Sequence, residues 1–173
     1  MKHWFALALL AFMLALVVSH VAVVRALPSF IMNRGMGMIA DLGATENQWY
    51  TAPRITAATS AVVRSSPDLA YAACLLNVAD GPVRIEVPAW DLYGSLSVFD
   101  GDTRNLFVGP LDQGAPVEVI VYRRGETISP PSTAQAIALS TDTGIALVRR
   151  LASTQALHTA AQALMVQSRC EAL

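Results

Sequence analysis

The sequence predicts a mainly β domain, α+β overall, carried on an N-terminal transmembrane helix and followed by a C-terminal helix. Three observations predict it. Residues 5–24 form an apolar run interrupted only by Ser19 and His20. Between residues 56 and 152, short apolar segments are separated by clusters of Gly, Pro and Asp. From residue 153 the apolar spacing becomes helical again. Strands at short, regular spacing with turns between them point to an antiparallel β-sandwich or barrel-like domain rather than βαβ units.

At about 1.5 Å per residue, a helix over residues 5–24 reaches roughly 30 Å, the thickness of a bilayer's hydrocarbon core. A cleaved secretory signal has a shorter apolar region and a small-x-small cleavage site. Here the nearest candidate is Val24-Arg25-Ala26 before Leu27-Pro28, which an arginine and a proline both disfavour. Residues 1–25 therefore read as a retained membrane anchor or signal-anchor. A short basic end before a globular tail directs the tail across the membrane. The expected location is the inner (cytoplasmic) membrane, single-pass, with the bulk of the chain periplasmic. Ala11, Ala15 and Ser19 recur every four residues, a spacing that permits close helix approach, although alanine is common throughout the chain.

Residues 26–55 read as a juxtamembrane linker. Gly35 and Gly37 each weaken a helix by about 1 kcal/mol relative to alanine, so a short imperfect helix or a loop is expected. Trp49 and Tyr50 are expected to pack against the domain that follows.

That domain, residues 56–152, opens with a small, β-branched segment at 57–63 and a longer apolar strand at 69–78. Asp80-Gly81-Pro82 marks a turn, since glycine accepts positive φ and proline fixes the next φ. Val83, Ile85 and Val87 alternate with Arg84 and Glu86, a strand with one wet face that Pro88 ends. Further strands are expected at 92–100, 106–108, 117–121, 136–139 and 144–148, with a turn at Asp100-Gly101-Asp102. Pro130-Pro131 excludes helix or central strand from 125–133. In the C-terminal segment 153–173, Ser153 or Thr154 can cap a helix. Leu157, Ala161, Leu164, Met165 and Ser168 share one of its faces.

Composition narrows the function. Lys2 and Arg25 are two of the twelve basic residues, leaving ten against thirteen acidic ones in the body, a net charge of −3. An acidic body without a basic run offers no footprint for nucleic acid. Neither CxxC nor HExxH occurs, and no cofactor is expected. An even pair could be joined in an oxidising compartment, but Cys74 reads as a small buried hydrophobe and Cys170 lies near a terminus expected to fray, so the unpaired reading is favoured and the pairing left open. The body's single histidine, His158, reads as a polar residue on a helix surface, and no G-x-S-x-G elbow accompanies it. Asp100, Asp102 and Asn105 lack the ligand number of an EF-hand and read as a hairpin turn.

One stretch carries a resemblance. Asp68-Leu69-Ala70-Tyr71, the turn Asp80-Gly81-Pro82-Val83, the strand end Glu86-Val87-Pro88, and then Tyr93, Asp100, Thr103 and Asn105 follow in order over 63–109. Residues 140–150 add a late strand ending in arginine. This pattern, covering roughly 56–152, resembles the family called domain of unknown function 1254. The chain departs from it at Ser65-Ser66-Pro67 and at Ala89-Trp90-Asp91-Leu92-Tyr93. The resemblance implies a β-rich fold with no settled biochemical function. It also implies frequent association with a companion, domain of unknown function 1214, for which this chain has no room. A separately encoded protein bearing that companion is the expected partner.

Asp68, Tyr71, Asp91 and Tyr93 are the candidate ligand-binding residues, with Asp68 and Tyr71 also readable as a turn and a core tyrosine. Three functions follow. The favoured one is a membrane-tethered extracytoplasmic β-domain acting as a binding or assembly subunit. The second is a module for a small ligand or envelope component. The third is an uncharacterised enzyme using Asp68 and Tyr71, which the missing catalytic motifs disfavour.

Overall fold

The computed structural model describes residues 2–56, 59 and 65–173; apart from Thr59, the segment expected to be strand-like at 57–63 lies outside the described residues. Helix α1 runs from Lys2 to Asp41. Its apolar side chains from Trp4 to Val24 are exposed, and the helix is long and apolar enough to cross a membrane. The helix does not stop near Arg25, as the linker reading of 26–55 expects, but continues through Pro28 for several more turns. Met32, Met36 and Ile39, spaced along one face, pack against Ala73, Leu75, Ile145 and Leu147. That tertiary packing overrides the weak local propensity. Gly35 and Gly37 have no neighbour within 4 Å of where a Cβ would stand, so they sit away from the contact. The helix ends in a Schellman turn: Gly43 at φ 102°, with Gly43 N–H donating to Ala40 O and Ala44 N–H to Ile39 O.

The strands are β1 (Trp49–Thr51), β2 (Leu69–Asn77), β3 (Val83–Val87), β4 (Gly94–Asp100), β5 (Asn105–Pro110), β6 (Val117–Arg123), β7 (Gln135–Leu139), β8 (Thr143–Leu151) and β9 (Arg169–Ala172), with α2 at Gln155–Met165 before β9. They form a five-stranded sheet, β1-β2-β8-β4-β5, and a four-stranded one, β7-β6-β3-β9. One core lies between their facing sides: Ala72, Cys74, Leu76, Ala146, Val148, Leu96 and Val98 from the first, and Val83, Ile85, Val87, Val119, Val121 and Leu139 from the second. The outer side of the first sheet receives α1. On the outer side of the second, Arg84 pairs with Glu118 at 2.7 Å and more loosely with Glu86 at 3.8 Å.

The mainly β expectation holds, with three differences. β6 and β7 are parallel, because the proline-bearing segment between them returns along the sheet instead of turning back as a hairpin. The segment 153–173 is not all helix: β9 pairs with β3 and places Cys170 opposite Ile85 on the core side. There it is bonded to Cys74, 96 residues away. The two cysteines are thus one disulfide joining the sheets, contrary to the unpaired reading.

Gly144, in the middle strand β8, has a backbone reason. A Cβ there would come within 2.5 Å of Phe99 O on β4. Gly144→Ala is expected to lose about 2 kcal/mol of stability as the sheet yields. An unchanged urea midpoint would contradict this strand register.

Candidate functional site

Arg150 is the unusual residue of the core. In β8, Ala146, Val148 and Arg150 point to the same side, and that side is buried. Arg150 itself is 1% exposed. Its neighbours across the sheet are Ala70 on β2 and Gly94 on β4, whose small size leaves room for the long side chain. Helix α2 lies over it, started by Thr154, whose hydroxyl accepts from Leu157 N–H.

The guanidinium donates to Ala161 O at 3.4 Å, to Met165 Sδ at 2.8 Å and to Pro88 O at 3.0 Å. It stands 6.0 Å from the centre of the Trp90 ring, whose Nε1 donates to Leu151 O. Every acceptor is neutral, and among the described residues Nε is without a partner and no carboxylate pairs with the group. Burial of this uncompensated charge pushes its pKa down to about 10. Beside it a narrow cleft of about 10 Å³, room for roughly one water molecule, lies between α2, β1 and β2, with Thr51, Tyr71, Gln162 and Met165 among its walls.

The sequence-selected residues are divided by the fold. Tyr71 lines the cleft, and its hydroxyl accepts from Ser66 N–H at 2.9 Å, the backbone bond expected of a packed tyrosine. Asp68 and Tyr93 flank the end of β8 by their backbones: Asp68 O accepts from Ala152 N–H and Tyr93 O from Leu151 N–H. The side chains of Asp68, Asp91 and Tyr93 are exposed, and none of the three residues lines the cleft. Sequence reading missed Arg150 as a site residue. Its signal was parity: counting by twos from Ala146 places Arg150 on the inward face.

His158 is a correction. It is buried at 2% exposure, not on the surface, and neither ring nitrogen has a partner among the described residues. Burial lowers its pKa first, and the cation Arg54, held by Gln155 Oε1 and Ser153 O, lowers it further. A histidine neutral when folded and titrating near 6.5 when unfolded contributes stability above about pH 6.5. That contribution is lost as pH falls from there through the lowered folded value. Thermal melts of wild type are expected to fall between pH 7 and 5, and His158→Leu to flatten that decline. An equal decline in the variant would place the titration elsewhere.

The acidic turn residues are structural. Asp100 is fully buried, and its carboxylate accepts from Gly101 N–H, Ser140 N–H, Ser140 Oγ, Thr141 Oγ1 and Arg104. Among the described residues no group of three or more His, Cys, Asp or Glu side chains is placed to hold a metal ion.

Comparison with known proteins gives one family: "Protein of unknown function (DUF1254)" matches residues 46–172. No curated protein matches. Among solved structures, the VPA0106 protein from Vibrio parahaemolyticus is similar at TM-score 0.65 and 14% identity, over 84% of this chain and 35% of that one. A putative uncharacterized protein from Burkholderia cenocepacia gives TM-score 0.42 and 17% identity, over 61% of this chain and 32% of that one. The chain spans about a third of the length of these structures. At such identities the first likeness concerns the fold alone.

Proposed function

The chain belongs to the DUF1254 family of proteins of unknown function, and from that premise we propose that it is a membrane-tethered, extracytoplasmic β-domain whose work is binding or assembly. One observation carries the reading. A single helix, α1, presents exposed apolar side chains over a membrane-length stretch and then packs by Met32, Met36 and Ile39 onto the first sheet. A domain docked on its own anchor is held at a set height and orientation above the bilayer. That arrangement suits a subunit that meets partners at the membrane surface.

The Cys74–Cys170 bond supports the compartment, because such bonds persist in the periplasm and other oxidising spaces. The reading places the chain in the inner membrane as a single-pass protein with its bulk in the periplasm. Its partner would be a separately encoded polypeptide bearing the companion domain 1214.

Two assays on the tagged full-length chain test it. Protease added to intact spheroplasts should digest the domain, and a mild-detergent pull-down should recover one stoichiometric partner. A domain cleaved only after lysis would overturn the topology. Recovery of the chain alone would overturn the obligate partner.

A further inference from the structure

We propose that the exposed face of α1 just beyond the anchor, from Arg25 to Arg34, is seated in the headgroup layer of the bilayer and takes anionic phospholipid as its partner. The inference deepens the tethering reading and rests on it.

Length is the first argument. Residues 5–24 fill the roughly 30 Å hydrocarbon core. The exposed apolar side chains do not end there: Leu27, Phe30 and Ile31 follow, with Phe30 67% exposed. From Trp4 to Ile31 the helix rises about 42 Å, which matches the roughly 40–45 Å of a bilayer with both headgroup layers included. Met32, the next residue, already packs against the first sheet, so no polar spacer separates the apolar run from the domain.

The second argument is which side of the helix stays open. Leu27, Ile31, Arg34 and Met38 recur at three- and four-residue spacing and so share one stripe, with Phe30 at its border. That stripe is turned away from Met32, Met36 and Ile39, which face the sheet. The helix therefore carries a second apolar face, continuous with the lipid-covered surface one turn below it.

Charge selects the lipid. Arg25 and Arg34 are exposed, and neither pairs with a carboxylate among the described residues. The chain has no acidic residue before Asp41. Side chains on a helix lean toward its N-terminus, here toward the membrane, so Arg34 reaches back to the phosphates. Arg25, at the edge of the core, snorkels to the same layer. A parallel second copy of α1 would instead bring two Arg34 side chains together in an apolar seam, where like charges repel.

The test uses the full-length protein in nanodiscs, with a fluorophore on Phe30→Cys. Position 30 lies outside the docked face, and the native cysteines, bonded to each other, take no label. A nitroxide quencher is carried near the headgroup of either phosphatidylglycerol or phosphatidylcholine, in discs holding equal parts of the two lipids. The expected result is quenching several-fold stronger from phosphatidylglycerol, falling to parity when Arg25→Gln and Arg34→Gln are combined. Equal quenching by both lipids without those changes, or a preference that survives them, would overturn the assignment. No quenching by either lipid would overturn it too, and shielding from aqueous iodide in that case would mark a protein contact on this face. A second label at Val17→Cys, with the nitroxide carried deep in the acyl chain, separates the two readings. If that label stays unquenched, the anchor does not span and the tethering fails together with this inference. If only the Phe30→Cys label stays unquenched, the tethering stands and this inference falls.

Discussion

Replacing both Cys74 and Cys170 with alanine is expected to cost about 4 kcal/mol of folding free energy. The bond closes a loop of 96 residues. By chain entropy, a loop of about 100 residues constrains the unfolded chain by roughly 4.7 kcal/mol. Native-state adjustments normally reduce such gains, which sets the expectation slightly lower. For a domain of this size the loss corresponds to a fall of about 12–16 °C in melting temperature.

The bond also has a local task. β9 is only four residues long and buries a single side chain, Cys170. With the bond broken, what holds that strand is its ladder to β3 and the Leu173 N–H to Pro82 O contact. Exchange of the amides in 169–173 should therefore accelerate first, ahead of the other strands. Denaturant melts with and without reductant, together with alkylation and mass measurement of the intact chain, check this. A loss under about 1 kcal/mol, or free thiols in the native protein, would contradict the pairing.

How much of this was legible in the sequence depended on how local each cause is. Val83, Ile85 and Val87 announce β3 because a strand with one buried face writes its period directly into the chain, and all three are fully buried. β9 left no such trace: one inward residue has no period. The last turns of α1 were hidden by Gly35 and Gly37, whose local cost is outweighed by contacts to residues more than thirty positions away. The parallel pairing of β6 with β7 likewise depends on the route of a loop, which composition does not specify.

The site follows the same rule. Asp68, Asp91 and Tyr93 drew attention because acidic and aromatic residues at turns look chemical, yet their side chains project outward. Arg150 looked ordinary beside Arg149. What distinguishes it is the company of Ala70, Gly94 and Ala161, brought together by two strand pairings and a helix. His158 was misplaced for a related reason. The buried face of α2 is His158, Ala161 and Met165, so the stripe is rotated from the one that Leu157 and Leu164 suggest.

Asp100→Ala is expected to cost about 3 kcal/mol, although its neighbour Asp102 is expected to be nearly neutral. The difference is burial. Asp102 is partly exposed and pairs with Arg104, which is 48% exposed, so solvent screens the interaction. Asp100 is fully buried, and its carboxylate joins the end of β4 to the turn after β7, thereby linking the two sheets. Truncation would leave Ser140 N–H and the hydroxyls of Ser140 and Thr141 facing a void with no acceptor, and such orphaned groups cost about 1–3 kcal/mol each before relaxation. The exposed partner Arg104 adds little.

The pH dependence separates this effect from others. Burial raises the Asp100 pKa, but the hydrogen bonds from Ser140, Thr141 and Gly101 outweigh it and hold the group below the ordinary carboxylate range. Its contribution is therefore complete above about pH 4 and disappears as pH falls below that through the lowered folded value. Wild type should lose stability in this acid window, whereas Asp100→Asn, already without the charge, should lose less there. The His158 effect falls at higher pH, between 7 and 5, so the two variants should flatten different parts of one stability curve. If Asp100→Ala melts with wild type at pH 7, the carboxylate does not join the two sheets in the way its hydrogen bonds imply.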